Sequence, residues 1–348
     1  MKSFRSLVIF ASLLLFSFTA KPQSGVAEFL QGNLEDAKTL GHAYLKPFGT
    51  TFGTSLNGGW YQAARPHKLL GFNVTFVTSI ATVPANAKDF NVGELSLNNL
   101  ELETPSDNIS PTIAGSNVTG PTLLFKDDPT ESLKFELPKG ANLFFTPVTM
   151  MQAGIGLPYS TELTVRFLPP LNIPKLGRIS LWGVGAKNEF KDFIPGLKRL
   201  PIDLSLMVGY TKFTSEFEVN FRPEVNELDP NSTYQMSDFN NQRLALDASG
   251  FTARLLVGKT IPLLSVYAGF GYSHATTDFG LKGNYALGLN KPYGDDDIIN
   301  DPFVLEFPVS NFSANAGLRV RLGVISINFD YTLGDYALYS AGIGISFR

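Results

Sequence analysis

The sequence predicts an all-β fold: an antiparallel transmembrane β-barrel of ten legible strands, 10–14 in all, with a short N-terminal helical plug or rim segment. Three observations carry that expectation. Apolar and polar residues alternate along segments of about ten residues, the length of a tilted spanning strand. The connections between them run short, then long, as in barrels with tight periplasmic turns and longer external loops. The chain also opens with an export segment, and its composition suits lipid. It is 44% hydrophobic and 17% charged, against roughly 25% charged in an average soluble domain.

Residues 1–20 read as a signal peptide. Lys2 and Arg5 precede a mostly apolar stretch, Ser6 to Ala20, of about fifteen residues, too short for a comfortable helical span. Ala20 suits cleavage and the bulky Phe18 does not, so an uncleaved anchor is the alternative. Residues 21–70 form an N-terminal periplasmic or plug segment with one helix candidate, Asn33 to Tyr44. Asn33 can cap it, Glu35 and Asp36 suit its first turn, and Pro47 and Gly49 are expected to end it. The helix either plugs the barrel mouth or covers the periplasmic rim.

The barrel is assigned to residues 71–348. Phe72, Val74 and Phe76 oppose Asn73 and Thr75, and Leu163, Val165 and Phe167 oppose Glu162, Thr164 and Arg166. Segments at 151–157, 178–187, 202–210, 251–258 and 264–273 follow, the inward face of 178–187 being ambiguous. Phe312 to Leu322 and Ile325 to Leu333 flank Gly323-Val324, a tight hairpin. In the closing strand Tyr339, Ala341, Ile343, Ile345 and Phe347 face lipid, opposite small or polar residues. Thr211–Gly250 and Thr277–Ser310 are read as long external loops. Residues 84–146 are an irregular insertion with extended pieces at 95–102, 121–125 and 133–137. Residues 188–200 are expected to form an amphipathic periplasmic helix, with Phe190, Phe193, Ile194 and Leu197 on one side.

The strings from Trp182 to Phe213 and from Gly32 to Phe72 resemble an uncharacterised outer-membrane barrel family of the Bacteroidetes type. The resemblance implies the barrel and a Gram-negative cell outer membrane, and it brings no activity. An N-terminal plug ahead of a medium barrel is also similar in architecture to the outer-membrane long-chain fatty-acid transporters. Membrane lipids, lipopolysaccharide and the barrel-assembly machinery are the expected partners.

The chemistry is sparse. The chain has no Cys and three His, which excludes disulfide scaffolds, thiolate metal sites and cysteine nucleophiles. With 28 Lys+Arg against 31 Asp+Glu, no nucleic-acid partner is expected. No cofactor motif is present, and no catalytic or metal-binding set is assigned. Ser273 and His274 are adjacent, so on a strand they point apart and cannot act together. His274 has lipid-facing parity, where an interfacial residue and a lipid-hydrolase histidine are both conceivable. Asp295 to Asp297 with Asp301 is a solvated loop or a weak calcium pattern, with Ile299 at a ligand position.

By parity the lumen holds Glu162, Arg166, Asp203, Arg254, Arg319, Arg321 and Asp330. Charges in a narrow lumen are expected to pair, either as a structural network or as a constriction that selects solutes. The leading reading is a non-enzymatic barrel that passes or binds a small apolar or amphipathic ligand. The alternative is a structural or secretion-accessory barrel with a closed lumen, and the third reading is a lipid hydrolase.

Overall fold

The computed structural model describes residues 34–126, 134–173, 177–191, 194, 196–287 and 291–347. The signal-peptide reading, the Asn33 cap and Phe193 lie outside them. The barrel is built from β1 (Phe72–Thr82), β7 (Phe145–Leu157), β8 (Thr161–Ile173), β9 (Gly177–Glu189), β10 (Asp203–Glu218), β11 (Arg243–Thr260), β12 (Leu264–Lys282), β15 (Phe303–Leu322), β16 (Ile325–Leu333) and β17 (Leu338–Phe347). Each pairs antiparallel with the next, and β1 closes the ring between β7 and β17. Closure leaves no free sheet edge, which a lipid environment could not satisfy.

The alternation read from the sequence is the alternation of the wall. Phe76, Leu206, Phe270, Phe312, Ile327 and Ile343 point outward and are exposed, Phe312 at 69%. Soluble monomers rarely expose apolar surface so continuously. Trp182 and Tyr210, Tyr272 and Phe312, and Tyr331 and Tyr339 make ring contacts around the outside at 5.7, 5.2 and 4.9 Å, the aromatic girdle of a spanning barrel. Among the described residues no helix is long and apolar enough to cross a membrane; the strands do so.

Four expectations are corrected. The strands β10, β11, β12 and β15 have 16, 18, 19 and 20 residues, so both ends of each long "loop" are strand that continues the barrel wall. Only 219–242 and 283–302 connect them, and the second contains the hairpin β13 (Asn284–Ala286) and β14 (Ile298–Asn300). Among the described residues of 188–200 there is no α-helix: Asn188 and Glu189 complete β9, and Leu197–Arg199 is a single 3-10 turn. Lys187 and Glu189 keep the strand going because their inward side chains find partners in the lumen. The described residues of the insertion form a cap over the N-terminal helix. It holds one small sheet of β2 (Asp89–Asn91) and β4 (Ile109–Pro111), and another of β3 (Leu100–Leu102), β5 (Thr122–Phe125) and β6 (Lys134–Glu136).

The fourth correction concerns the N-terminal helix. It runs from Leu34 to Leu56, straight through Pro47, and is called α1. An internal proline removes one N–H and crowds the preceding turn. Burial in the barrel outweighs that cost, since Phe48, Phe52 and Leu56 pack on Val77, Val148, Met150 and Leu181 of the wall. The Tyr44 carbonyl, one turn above the proline, accepts from Ile113 N–H at 3.0 Å. The helix starts at the long-loop end of the barrel. Asp36 accepts from the backbone N–H groups of Asn98, Asn99 and Leu100 in the cap, on the long-loop side. The chain then descends through the lumen and emerges among the short turns, where Leu70 N–H donates to Gly156 O.

Candidate functional site

The site with the densest chemistry is the lumen, where residues 57–67 follow an irregular path between charged wall residues. Buried backbone without secondary structure must find other hydrogen-bond partners. Here the barrel wall supplies them. Arg166, 1% exposed, donates to Leu56 O at 3.0 Å and to Gly58 O at 2.5 Å. These carbonyls lie at the C-terminal end of α1, where the helix dipole favours a cation. Its guanidinium also lies over the Trp60 ring, 3.6 Å from the centroid, and it reaches Gln152 and Thr211.

Further down, Lys187 donates to Ala63 O at 3.1 Å and pairs with Glu162 at 3.3 Å. Glu162 accepts from His67 N–H at 2.9 Å, and Ser205 Oγ donates to Ala64 O at 2.7 Å. Arg65 pairs with Asp203 at 2.7 Å. The polar face of the wall is rich in glycine for a related reason. A Cβ on Gly185 or Gly209 would stand 2.7 or 2.5 Å from the indole of Trp60, so only glycine lets that ring lie flat on the strands.

Six of the seven charges placed in the lumen by parity are buried there: Glu162, Arg166, Asp203, Arg254, Arg319 and Asp330. Arg321 is corrected to the rim, where it is half-buried and donates to Pro262 O. The pairing expected among them does not form. No two of the seven make an ion pair; Glu162 and Asp203 pair instead with Lys187 and Arg65, while Arg166 binds backbone carbonyls. Arg254 contacts Ser273, Ser313 and Asn315; Asp330 accepts from Asn315 and Thr332; Arg319 reaches Ser265. Lys187, Trp60 and Gln152 were not legible as site residues. Lys187 lies on the strand whose inward face was ambiguous, and Trp60 lies in a segment with no periodicity.

The three histidines have different surroundings. His67 is buried and bonds Asn73 at 2.8 Å. His42 stacks on Phe307 with centroids 4.9 Å apart. His274 Nδ1 meets Ser310 Oγ at 2.7 Å on the outer wall, a cross-strand partner and not the sequence neighbour Ser273. Among the described residues no cluster of three His, Cys, Asp or Glu is placed to hold a metal. Asp295 instead binds Ser232 and Thr233, and Asp301 pairs with Lys282. Beside Asp295, Lys291 pairs with Glu227 and Tyr293 N–H donates to Glu227 O. The two outer loops are thus docked on each other.

Residues 1–347 match a family of unknown function, DUF6588. The chain belongs to that family. No curated protein matches this DUF6588 chain by sequence. Among solved structures it is similar to the outer membrane protease OmpT from Escherichia coli, at 8% identity over 80% of this chain and 94% of that one, TM-score 0.27. It is similar to the translocator domain of the autotransporter NalP from Neisseria meningitidis, at 9% identity over 81% and 90%, TM-score 0.28. It is also similar to the toluene transporter TbuX from Ralstonia pickettii, at 7% identity over 80% and 90%, TM-score 0.22. For the DUF6588 chain the barrel follows from its own closed ladder of strands.

Proposed function

We propose that this chain is a non-enzymatic outer-membrane barrel that works with its lumen closed by its own N-terminal segment. Its capped outer end would then meet its partners. One observation carries the reading: the descending segment is bonded to the wall at successive backbone groups, from Leu56 and Gly58 to Ala63, Ala64 and His67. Such a segment is a fixed part of the barrel interior. The cavities beside it, near Arg254 and near Glu162, each have a volume of about 10 Å³, room for about one water. Placement in a Gram-negative outer membrane is supported by the apolar exterior and by the signal-like N-terminus. Phospholipid and lipopolysaccharide would contact that belt.

Planar-bilayer conductance tests the closed lumen. The intact protein is expected to be electrically quiet, and removal of residues 34–67 to open a pore. The exposed wall would carry Arg166, Lys187, Arg254 and Arg319 against Glu162, Asp203 and Asp330, so anions should be slightly favoured, less so as salt rises. A large steady conductance from the intact protein would refute the reading.

A second reading, passage or binding of a small apolar or amphipathic ligand, is favoured by one feature. The upper lumen around α1 is apolar, with Val77, Val148, Met150 and Leu181 facing inward. That chamber becomes available only if α1 leaves. Uptake of a radiolabelled fatty acid into vesicles by the intact protein would support this reading over the first.

A further inference from the structure

We propose that the vestibule beside Arg254 binds a halide-sized anion that ties the plug to the wall. The vestibule lies between Thr54 and Asn57 of the plug and Ser273, Asn311 and Ser313 of the wall, with Tyr336 from the turn between β16 and β17. Arg254 lines it and is 4% exposed.

Its hydrogen bonding is incomplete for a buried guanidinium, which carries five N–H donors. Ser313 Oγ accepts at 2.8 Å, but Ser313 O lies at 3.3 Å and Asn315 Oδ1 and Ser273 Oγ at 3.4 Å. None of these acceptors carries charge. Asp330 makes no ion pair with it and is linked to it through Asn315, whose Nδ2 donates to Asp330 Oδ2 at 2.6 Å. Two other deep lumen cations are served better, whereas Arg319 reaches only Ser265 Oγ, at 3.4 Å. Arg166 has two plug carbonyls and an indole face, and Lys187 has Glu162. A buried cation with neutral acceptors, one of them close, and no ion pair is costly unless a counter-charge reaches it.

The space beside Arg254 fits such a counter-charge. Its volume of about 10 Å³ suits one water-sized occupant, which admits chloride or bromide and is too small for phosphate. Ser273, Ser313 and Asn311 add hydroxyl and amide donors on the wall side. Because Thr54 and Asn57 form the other side, an anion here would hold α1 in place through Arg254. The site does not depend on whether the lumen ever opens.

Two measurements on the full-length protein in detergent test this. Crystals soaked in bromide should show an anomalous peak within hydrogen-bond reach of the Arg254 guanidinium. The melting temperature should rise with the logarithm of chloride concentration up to about 0.15 M, and stay flat in gluconate of matched ionic strength. Arg254→Gln should abolish the peak and the rise. Should that variant fail to fold, Asn311→Leu fills the vestibule while leaving Arg254 in place, and it should remove both signals. Parallel melting behaviour in chloride and gluconate with no bromide peak would overturn the site. So would a chloride response that survives in Asn311→Leu or in Arg254→Gln.

Discussion

Glu162 and Lys187 stand directly opposite each other on β8 and β9, both buried, with Nζ 3.3 Å from Oε1. The pair serves a third party. Lys187 also bonds Ala63 O, and Glu162 also takes His67 N–H, so two wall charges hold both ends of a short plug segment. Neutralising one leaves the other buried and unpaired, which costs about 3–5 kcal/mol. Lys187→Met should therefore destabilise the barrel by that order, and Glu162→Gln combined with Lys187→Met by clearly less than the two single changes summed. Urea unfolding in detergent measures the cycle, and strict additivity would show that the pair is not coupled.

Arg166→Gln removes the donors to Leu56 O and Gly58 O. Each unsatisfied buried acceptor costs about 1–3 kcal/mol, and the lower plug should loosen while the strands stay paired. Limited proteolysis should then cut within 57–67 in the variant only. Equal resistance in both proteins would remove Arg166 from this role.

Trp60 reports on plug seating because it lies on Gly185 and Gly209, whereas Trp182 is outside and exposed. In a Trp182→Phe background, Gly209→Val should displace the indole, shift its emission to the red and raise quenching by acrylamide. An unchanged spectrum would mean that Trp60 does not occupy that position.

The direction of threading is open to chemical labelling, since the chain has no native Cys. Lys38 on α1 lies with the cap and Lys68 with the short turns. On intact cells a membrane-impermeant maleimide should label Lys38→Cys and spare Lys68→Cys. The reverse pattern would place the long-loop end in the periplasm.

Lipid exposure separates neighbouring positions of β17. Ile343 is 55% exposed and Ser346 is 2% exposed. Ile343→Arg should cost about 2–4 kcal/mol at the bilayer midplane and lower the yield of heat-modifiable protein. Ser346→Ala should assemble normally. Equal assembly of the two variants would contradict the register.

The outer loops should respond to acid before the barrel does. Lys291 and the Glu224 N–H hold the Glu227 carboxyl below its ordinary value of 4.5. Ser232 and Thr233 hold Asp295 below 3.8. A carboxylate whose value is lowered by folding stabilises above its unfolded value, and that stability is lost as pH falls through the folded value. Hydrogen exchange in 219–242 and 283–302 should accelerate as pH falls below about 4, after correction for intrinsic rates, with β7 to β9 still protected. Uniform loss of protection would argue against a local event.

The sequence by itself determined the barrel, its strand parity and six of the charges that face inward. A strand's side chains alternate strictly, so a wall between lipid and lumen writes its two environments into alternate letters. It did not determine what those charges touch. The Glu162–Lys187 pairing follows a register shift at Leu168/Leu171, beside Pro169 and Pro170, so counting back from the hairpin would misplace Lys187 by one residue and turn it to the other face. The length of α1 was also hidden, because Pro47 reads locally as a stop and only the surrounding wall makes a continued helix favourable. The direction of threading and the bonding of residues 56–67 were decided by tertiary structure alone. Hydrogen bonds from an irregular segment to side chains a hundred residues away follow no period, and they exist only once the barrel has closed around them.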